Sequence, residues 1–108
     1  MVYNEQLAGR IRALTKRKGL AEKKMFGGIV FMLNGNMCFG IDSDNLMVRV
    51  GPERYNQALA LPDARPMDIT GRPMKGFVFV STRGLVKDAT LKKWLDMGID
   101  FASSLPEK

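Results

Sequence analysis

The sequence contains no histidine, a single cysteine and no long apolar run. Without histidine the chain lacks the commonest general base and the commonest metal ligand, and it cannot build a His-dependent catalytic triad. A lone Cys38 cannot form an intrachain disulfide, which favours a cytoplasmic location. The most apolar stretch, Met25–Leu33, is far shorter than the roughly 20 residues of a membrane helix. We therefore expect a cytoplasmic, non-enzymatic protein with no signal segment, membrane contact, metal or cofactor.

The positive charge is concentrated at the N-terminus. The 108 residues carry a net charge of +6, and residues 1–24 hold seven of the 17 basic side chains but two of the 11 acidic ones. One interpretation is a contact surface for nucleic acid or another anion. The other is a solvated helix whose basic C-terminal end suits the helix dipole. The candidate contact residues are Arg10, Arg12, Lys16, Arg17, Lys23 and Lys24.

Apolar spacing and turn residues predict three helices and five or six strands, with the order α-β-β-β-β-α-β-β-α. Consecutive strands joined by short turns are antiparallel. The predicted fold class is α+β, an antiparallel meander plus a hairpin with helices packed on it, in one domain over residues 1–108. The predicted helices cover residues 4–18, the segment from Pro52 to before Pro62, and a last helix capped by Asp88 and ended by Pro106. The predicted strands cover 22–26, 29–33, 36–42, 46–50, 66–69 and 74–80.

Asn34–Gly35 is the strongest hairpin signal in the chain. With these two residues as the loop, both faces of the hairpin are apolar, whereas a sheet with one wet face alternates with polar residues. Three helices could cover one face, and a loop, a further helix or a second copy of the protein could cover the other. We favour a homodimer. The predicted partner surface consists of Val30, Met32, Met37, Phe39 and Ile41, opposite Ile29, Phe31, Leu33 and Cys38.

Other residues are weaker candidates. Cys38 lies mid-strand between apolar neighbours, which favours a buried structural thiol over a nucleophile. Phe77 and Phe79 share a face with Lys75, in the pattern of a base-stacking platform, although core packing is the competing interpretation. Four cations could converge on an anion, or could instead pair with nearby aspartates: Arg49, Arg65, Arg72 and Lys75.

Several motifs together resemble the TfoX/Sxy N-terminal domain family. They are residues 24–28 (KMFGG), the turn Asn34–Gly35 with its methionine–cysteine return, residues 44–49 (DNLMVR) and residues 72–76 (RPMKG) before an aromatic-rich strand and a tryptophan helix. The resemblance covers nearly the whole chain. It implies a relative of bacterial regulators of competence genes for DNA uptake, which are thought to act with a cyclic-AMP receptor protein at promoters. It implies no catalytic residues.

The resemblance leads to two expectations about function. The first is a stand-alone N-terminal domain, without the C-terminal domain of those regulators, that acts as a regulatory or adaptor domain through protein–protein contact. Its partners would be a second copy of itself and a transcription factor or other protein. The alternative is a nucleic-acid-binding protein that uses the basic N-terminal helix.

Overall fold

The computed structural model describes residues 4–16, 18–25, 28–67 and 75–106. Within these residues the chain forms three α-helices and one six-stranded antiparallel sheet, in the order predicted from the sequence. Across the sheet the strands run β1-β2-β3-β4-β6-β5. The helices are α1 (Glu5–Leu14), α2 (Tyr55–Leu59) and α3 (Asp88–Ser103), the last preceded by a 3-10 turn at Thr82–Leu85. The strands are β1 (Ala21–Met25), β2 (Gly28–Leu33), β3 (Asn36–Asp42), β4 (Asn45–Arg49), β5 (Ala64–Pro66) and β6 (Phe77–Ser81).

Helix ends differ from the prediction for local reasons. Asn4 caps α1 as expected, because its side chain accepts a hydrogen bond from the backbone N–H of Leu7 at 2.9 Å. The helix stops at Leu14, earlier than predicted, and Thr15 donates its hydroxyl back to the carbonyl of Ile11 at 2.7 Å. Asp88 is the first residue of α3 rather than its cap, so that prediction was wrong, although an acidic first turn still suits the helix dipole.

The edge strand near residue 66 also differs. Of the predicted strand at 66–69, Pro66 is the last residue of β5, which begins at Ala64, and residues 68–69 lie outside the described residues. The predicted turn at 70–73, and the predicted start of the next strand at 74, lie outside the described residues. β6 is described from Phe77, and it pairs with both β4 and β5.

The main core lies between the helices and one face of the sheet, which we call the inner face. Apolar residues of α1, α2 and α3 recur at helical spacing and meet alternate residues of the strands. The buried helical members are Leu7, Ala8, Ile11, Ala58, Leu91, Trp94, Leu95, Ile99 and Ala102. The apolar sides of all three helices therefore pack on the inner face. We call the opposite side of the sheet the outer face, and the described helices do not pack on it.

A β-bulge at Cys38 changes which side chains of the central hairpin face the helices, compared with the prediction. Met32 pairs with Met37 as expected, but the next pair along the ladder is Phe31 with Phe39. Cys38 is therefore an extra residue on β3, and both Cys38 and Phe39 belong to the inner-face core. A bulge of this kind reverses the side-chain alternation on one strand from that point onward.

The predicted partner surface was therefore wrong for three of its five residues, since two lie on the other face and a third, Val30, is 0% exposed. Phe39 and Ile41 lie under the helices at 0% exposure rather than on the outer face. Val30, Met32 and Met37 do lie on the outer face. Since both faces of the hairpin are apolar, the sequence pattern contains no polar residue that would have marked the reversal.

Helix α3 crosses the bulge at Gly98. A Cβ atom built there would lie 2.5 Å from the carbonyl oxygen of Cys38 and 3.0 Å from Cδ2 of Phe39. These distances are too short for ordinary packing, and one of the atoms belongs to the backbone. Glycine thus allows the helix to lie directly on the bulged strand.

We predict that Gly98→Ala lowers the free energy of unfolding by about 1–3 kcal/mol, because the helix or the bulge must move to admit the methyl group. Gly9→Ala in α1 is the matched control, since its added Cβ meets no atom within 4 Å. That control should be neutral or should stabilise the protein by up to about 1 kcal/mol. Urea unfolding measures both variants, and a similar effect of the two substitutions would contradict the close approach at Gly98.

Candidate functional site

The outer face of the sheet carries a second, smaller apolar cluster. Alternation along β2, β4 and β6 places Val30, Met47 and Phe79 there, and Met67, the residue after β5, joins them. Val30 and Met47 are fully buried, and Met67 is 1% exposed. The centre of the outer face is therefore covered within a single chain. Around this centre lie three partly exposed residues, Met32, Met37 and Phe77, which we call the apolar rim.

The sequence prediction missed part of this face. Met47 and Phe79 belong to it, yet the predicted surface was drawn from the first hairpin alone. Their signal was present, because Met47 alternates with the inner-face residues Leu46 and Val48. Met67 had no comparable signal, since it follows a three-residue edge strand.

Two arginines lie over aromatic rings, Arg65 on this face and Arg49 at its end, between Phe77 of this face and Phe101 of α3. The guanidinium carbon of Arg65 is 5.2 Å from the ring centroid of Phe79. That of Arg49 is 5.6 Å from the centroid of Phe77 and 5.2 Å from the centroid of Phe101. Cations at these distances are attracted by the ring quadrupole. Two members of the predicted anion cluster, Arg49 and Arg65, thus share a face.

The other two residues of that predicted cluster are not shown to lie beside Arg49 and Arg65. Lys75 is exposed in the turn before β6, and Arg72 lies outside the described residues. Lys23 adds a charge that was not predicted for this group, because it is exposed and pairs with Val30 across β1 and β2. Paired residues of antiparallel strands share a face, so Lys23 belongs to the outer face.

The basic residues of α1 have intramolecular partners. One Nη of Arg10 donates to the carbonyl of Leu85 at 2.6 Å and to a carboxylate oxygen of Asp88 at 2.9 Å. Arg12 makes a bidentate ion pair with Glu22, with both N···O distances at 2.8 Å. Arg10 therefore ties α1 to the start of α3, and Arg12 ties α1 to β1.

The remaining predicted nucleic-acid contacts do not all lie on one face. Lys16, Lys23 and Lys24 are exposed. Lys23 and Lys24 pair with Val30 and Ile29, respectively, so they belong to opposite faces of the edge strand. Arg17 lies outside the described residues.

Cys38 is fully buried beneath α3. Burial raises the pKa of its thiol from 9.0 to about 11, against a smaller opposing effect of the nearby Arg49 charge. A thiol in this state is a poor nucleophile at neutral pH. Its place in the bulge gives it a packing role.

Three further observations concern the part of the chain that the structure describes. No group of three histidine, cysteine, aspartate or glutamate side chains there is placed to hold a metal ion. None of the described helices is both long and apolar enough to cross a bilayer. A groove of about 400 Å³ lies between the segment after β4 and the end of α3, where Arg54 and Asp100 approach within 3.7 Å.

The Arg12–Glu22 pair makes stability depend on pH. The hydrogen bond from Arg12 lowers the pKa of Glu22 below 4.5, although burial opposes it. A carboxyl group with a lowered folded-state pKa contributes stability above its unfolded pKa, and the contribution is lost as pH falls through the folded pKa. The two side chains are 46% and 38% exposed, so the effect is small.

We predict that Glu22→Gln lowers the free energy of unfolding at about pH 7 by less than about 1 kcal/mol. The difference from the unchanged protein should shrink as the pH falls below about 4.5 and through the lowered folded-state pKa of Glu22, where the carboxyl becomes protonated in both states. Urea unfolding across this range measures it. Glu53→Gln is the control at an exposed carboxylate with no described ion pair, and equal losses in both variants would contradict the prediction.

Comparison with known proteins adds the last observation. Residues 12–102 match the family model described as TfoX N-terminal domain. Searches of curated proteins and of solved structures found no match. The matched span runs from the last turn of α1 to the last turn of α3 and includes both faces of the sheet. The chain therefore belongs to the TfoX N-terminal domain family.

Proposed function

We propose that this chain is a non-enzymatic regulatory or adaptor domain that acts in the cytoplasm by contacting another protein. Membership of the TfoX N-terminal domain family makes it a competence-regulator-like domain. The observation that supports protein contact is the apolar rim of Met32, Met37 and Phe77, partly exposed beside the cations of the outer face. Methionine side chains adapt to varied apolar surfaces, which suits a contact surface.

In this proposal the inner core supplies rigidity, and the outer face supplies recognition. The family resemblance implies control of transcription together with a DNA-binding partner. The domain would bind such a partner through the rim and alter its activity at promoters. This role requires neither a reactive group nor a bound cofactor in the domain itself.

The homodimer expected from the sequence stays a prediction. A contact between copies through the outer face would now use the rim alone, because Phe39 and Ile41 lie under the helices. Pairing through sheet edges is less favourable, since β1 carries Lys23 and Lys24 and β5 is three residues long with a terminal proline. Lysine, proline and short length are the devices by which natural sheets avoid edge pairing.

We predict that deleting the gene from its host changes a defined set of transcripts, and that the Met37→Asp variant reproduces this change. A carboxylate in the rim would oppose burial of the contact, since burying an unpaired charge is costly. RNA sequencing of strains with equal protein levels measures it.

The matched control is Ala89→Asp, which adds the same charge at an exposed position of α3. It should retain normal regulation. Unchanged transcripts after deletion would refute the regulatory function, whereas normal regulation by Met37→Asp would show that the rim is not the contact.

Nucleic-acid binding is the second candidate function. The observation that favours it is a set of exposed lysines near α1 and β1, none of which joins an ion pair among the described residues. These lysines are Lys16, Lys18 and Lys24, whereas Lys23 belongs to the outer face.

We predict for this candidate that the protein binds a labelled DNA duplex at low salt and that Lys16→Gln combined with Lys24→Gln weakens binding. The slope of log affinity against log salt should fall by about 2, since about one counterion is released per phosphate contact. Fluorescence polarisation measures both. Lys93→Gln on α3 is the control, and no polarisation change at low salt would rule the candidate out.

A further inference from the structure

We propose that the outer face binds an acidic, amphipathic segment of a protein partner. This inference rests on the proposed function and specifies the chemistry of the partner. Apolar side chains of the segment would pack on the rim, and its carboxylates would pair with the cations beside the rim. The residues involved are Met32, Met37, Phe77, Lys23, Arg49 and Arg65.

The distribution of arginine ion pairs supports an acidic partner. Of the six arginines among the described residues, four form ion pairs with carboxylates inside the chain: Arg10, Arg12, Arg54 and Arg83. The two without a described carboxylate partner are Arg49 and Arg65. Arg65 lies over Phe79 on the outer face, and Arg49 lies at the end of that face, within reach of both Phe77 and Phe101 of α3. Lys23 on the same face also lacks one within the described chain. Alternation along β3 places one described acid, Asp42, at the end of this face.

The aromatic rings beneath the two arginines position their guanidinium groups to bind a carboxylate. An aromatic ring attracts the guanidinium charge through its quadrupole but accepts no conventional hydrogen bond from the N–H groups, so these can still donate to a carboxylate. Arg65 has one further described contact, a long hydrogen bond of 3.4 Å to Ser81. Its other donors are available for bidentate pairing with an Asp or Glu side chain.

Two other occupants fit the face less well. Single-stranded nucleic acid requires aromatic faces on which bases can stack, but Phe79 is 5% exposed and carries Arg65 over its ring. A second copy in a two-fold contact would bring the same patch against itself, so a surface that carries Lys23, Arg49 and Arg65 would face an equally positive one. Juxtaposed like charges oppose such a contact, whereas an acidic segment neutralises them.

The test uses a fluorescent peptide in which aspartate alternates with leucine, titrated with the full chain. We expect saturable binding that weakens with added salt, because exposed ion pairs are screened. The double variant Lys23→Gln/Arg65→Gln should weaken binding by about 5- to 10-fold, in line with two exposed ion pairs. Lys16→Gln/Lys93→Gln removes the same charge from exposed positions of α1 and α3 and should change binding by less than about 2-fold.

Further arms isolate the two parts of the contact. Arg65→Lys keeps the charge but loses the planar fork, so it should weaken binding less than Arg65→Gln. Met32→Ser/Met37→Ser should weaken binding while the salt dependence remains, because it removes apolar contact alone. Circular dichroism and urea unfolding verify that each variant is folded before titration.

Several results would overturn the inference. They are equal weakening by the two charge-matched double variants, equal binding of a peptide with asparagine in place of aspartate, and displacement of the peptide by a labelled oligothymidylate at equal concentration. Sedimentation could reveal a dimer that Met37→Asp dissociates. If that dimer did not bind the peptide, the outer face would be the contact with a second copy.

Failure of this inference can be told apart from failure of the proposed function. If transcripts depend on Met37 but peptide binding ignores charge, the regulatory function stands and the acidic partner is wrong. If transcripts are independent of the gene, the regulatory function is wrong whatever the peptide does.

Discussion

The contact between Gly98 of α3 and the bulged backbone at Cys38 is the constraint on which the division of the sheet depends. The bulge places Cys38, Phe39 and Ile41 together on the inner face, where the helices bury them completely. Without the extra residue, alternation would move Phe39 and Ile41 outward and would enlarge the apolar outer face. A glycine in the helix permits the close approach that this arrangement needs. One inserted residue thus decides how much apolar surface is left for the outer face.

The charged side chains also differ between the two sides of the sheet. On the helix side, Arg10 and Arg12 hold α1 against α3 and β1 through carboxylates and a backbone carbonyl. Their charges are balanced locally, which reduces the field that a distant anion would experience. Arg65 on the outer face lies over Phe79, and Arg49 at the end of that face lies near Phe77 and Phe101 of α3; such rings position a guanidinium without neutralising it. Net charge alone pointed to the N-terminal helix, but the arginines without described carboxylate partners, Arg49 and Arg65, belong to β4 and β5.

Much of the fold could be predicted from the sequence because local signals agreed with one another. Asn34–Gly35 set the hairpin, the cap at Asn4 set the start of α1, and helical spacing identified the stripe of α3. The face assignments failed at Phe39 and Ile41 because a bulge between two apolar faces leaves no mark in an apolar pattern. Ion pairs between α1 and distant segments were equally hidden. They join residues that are 10 and 78 positions apart, and no periodicity links such positions.

Different parts of the outer face contribute to stability and to recognition. Its centre, around Val30 and Met47, is buried within the chain and contributes to the core. Its rim, Met32, Met37 and Phe77, is only partly buried. A partner could therefore cover these side chains without moving other parts of the chain. A fully exposed apolar face would risk aggregation, and a fully buried one would offer no contact. An apolar rim beside cations held on aromatic rings avoids both outcomes, because the charges keep the surface hydrated until a complementary partner removes that water.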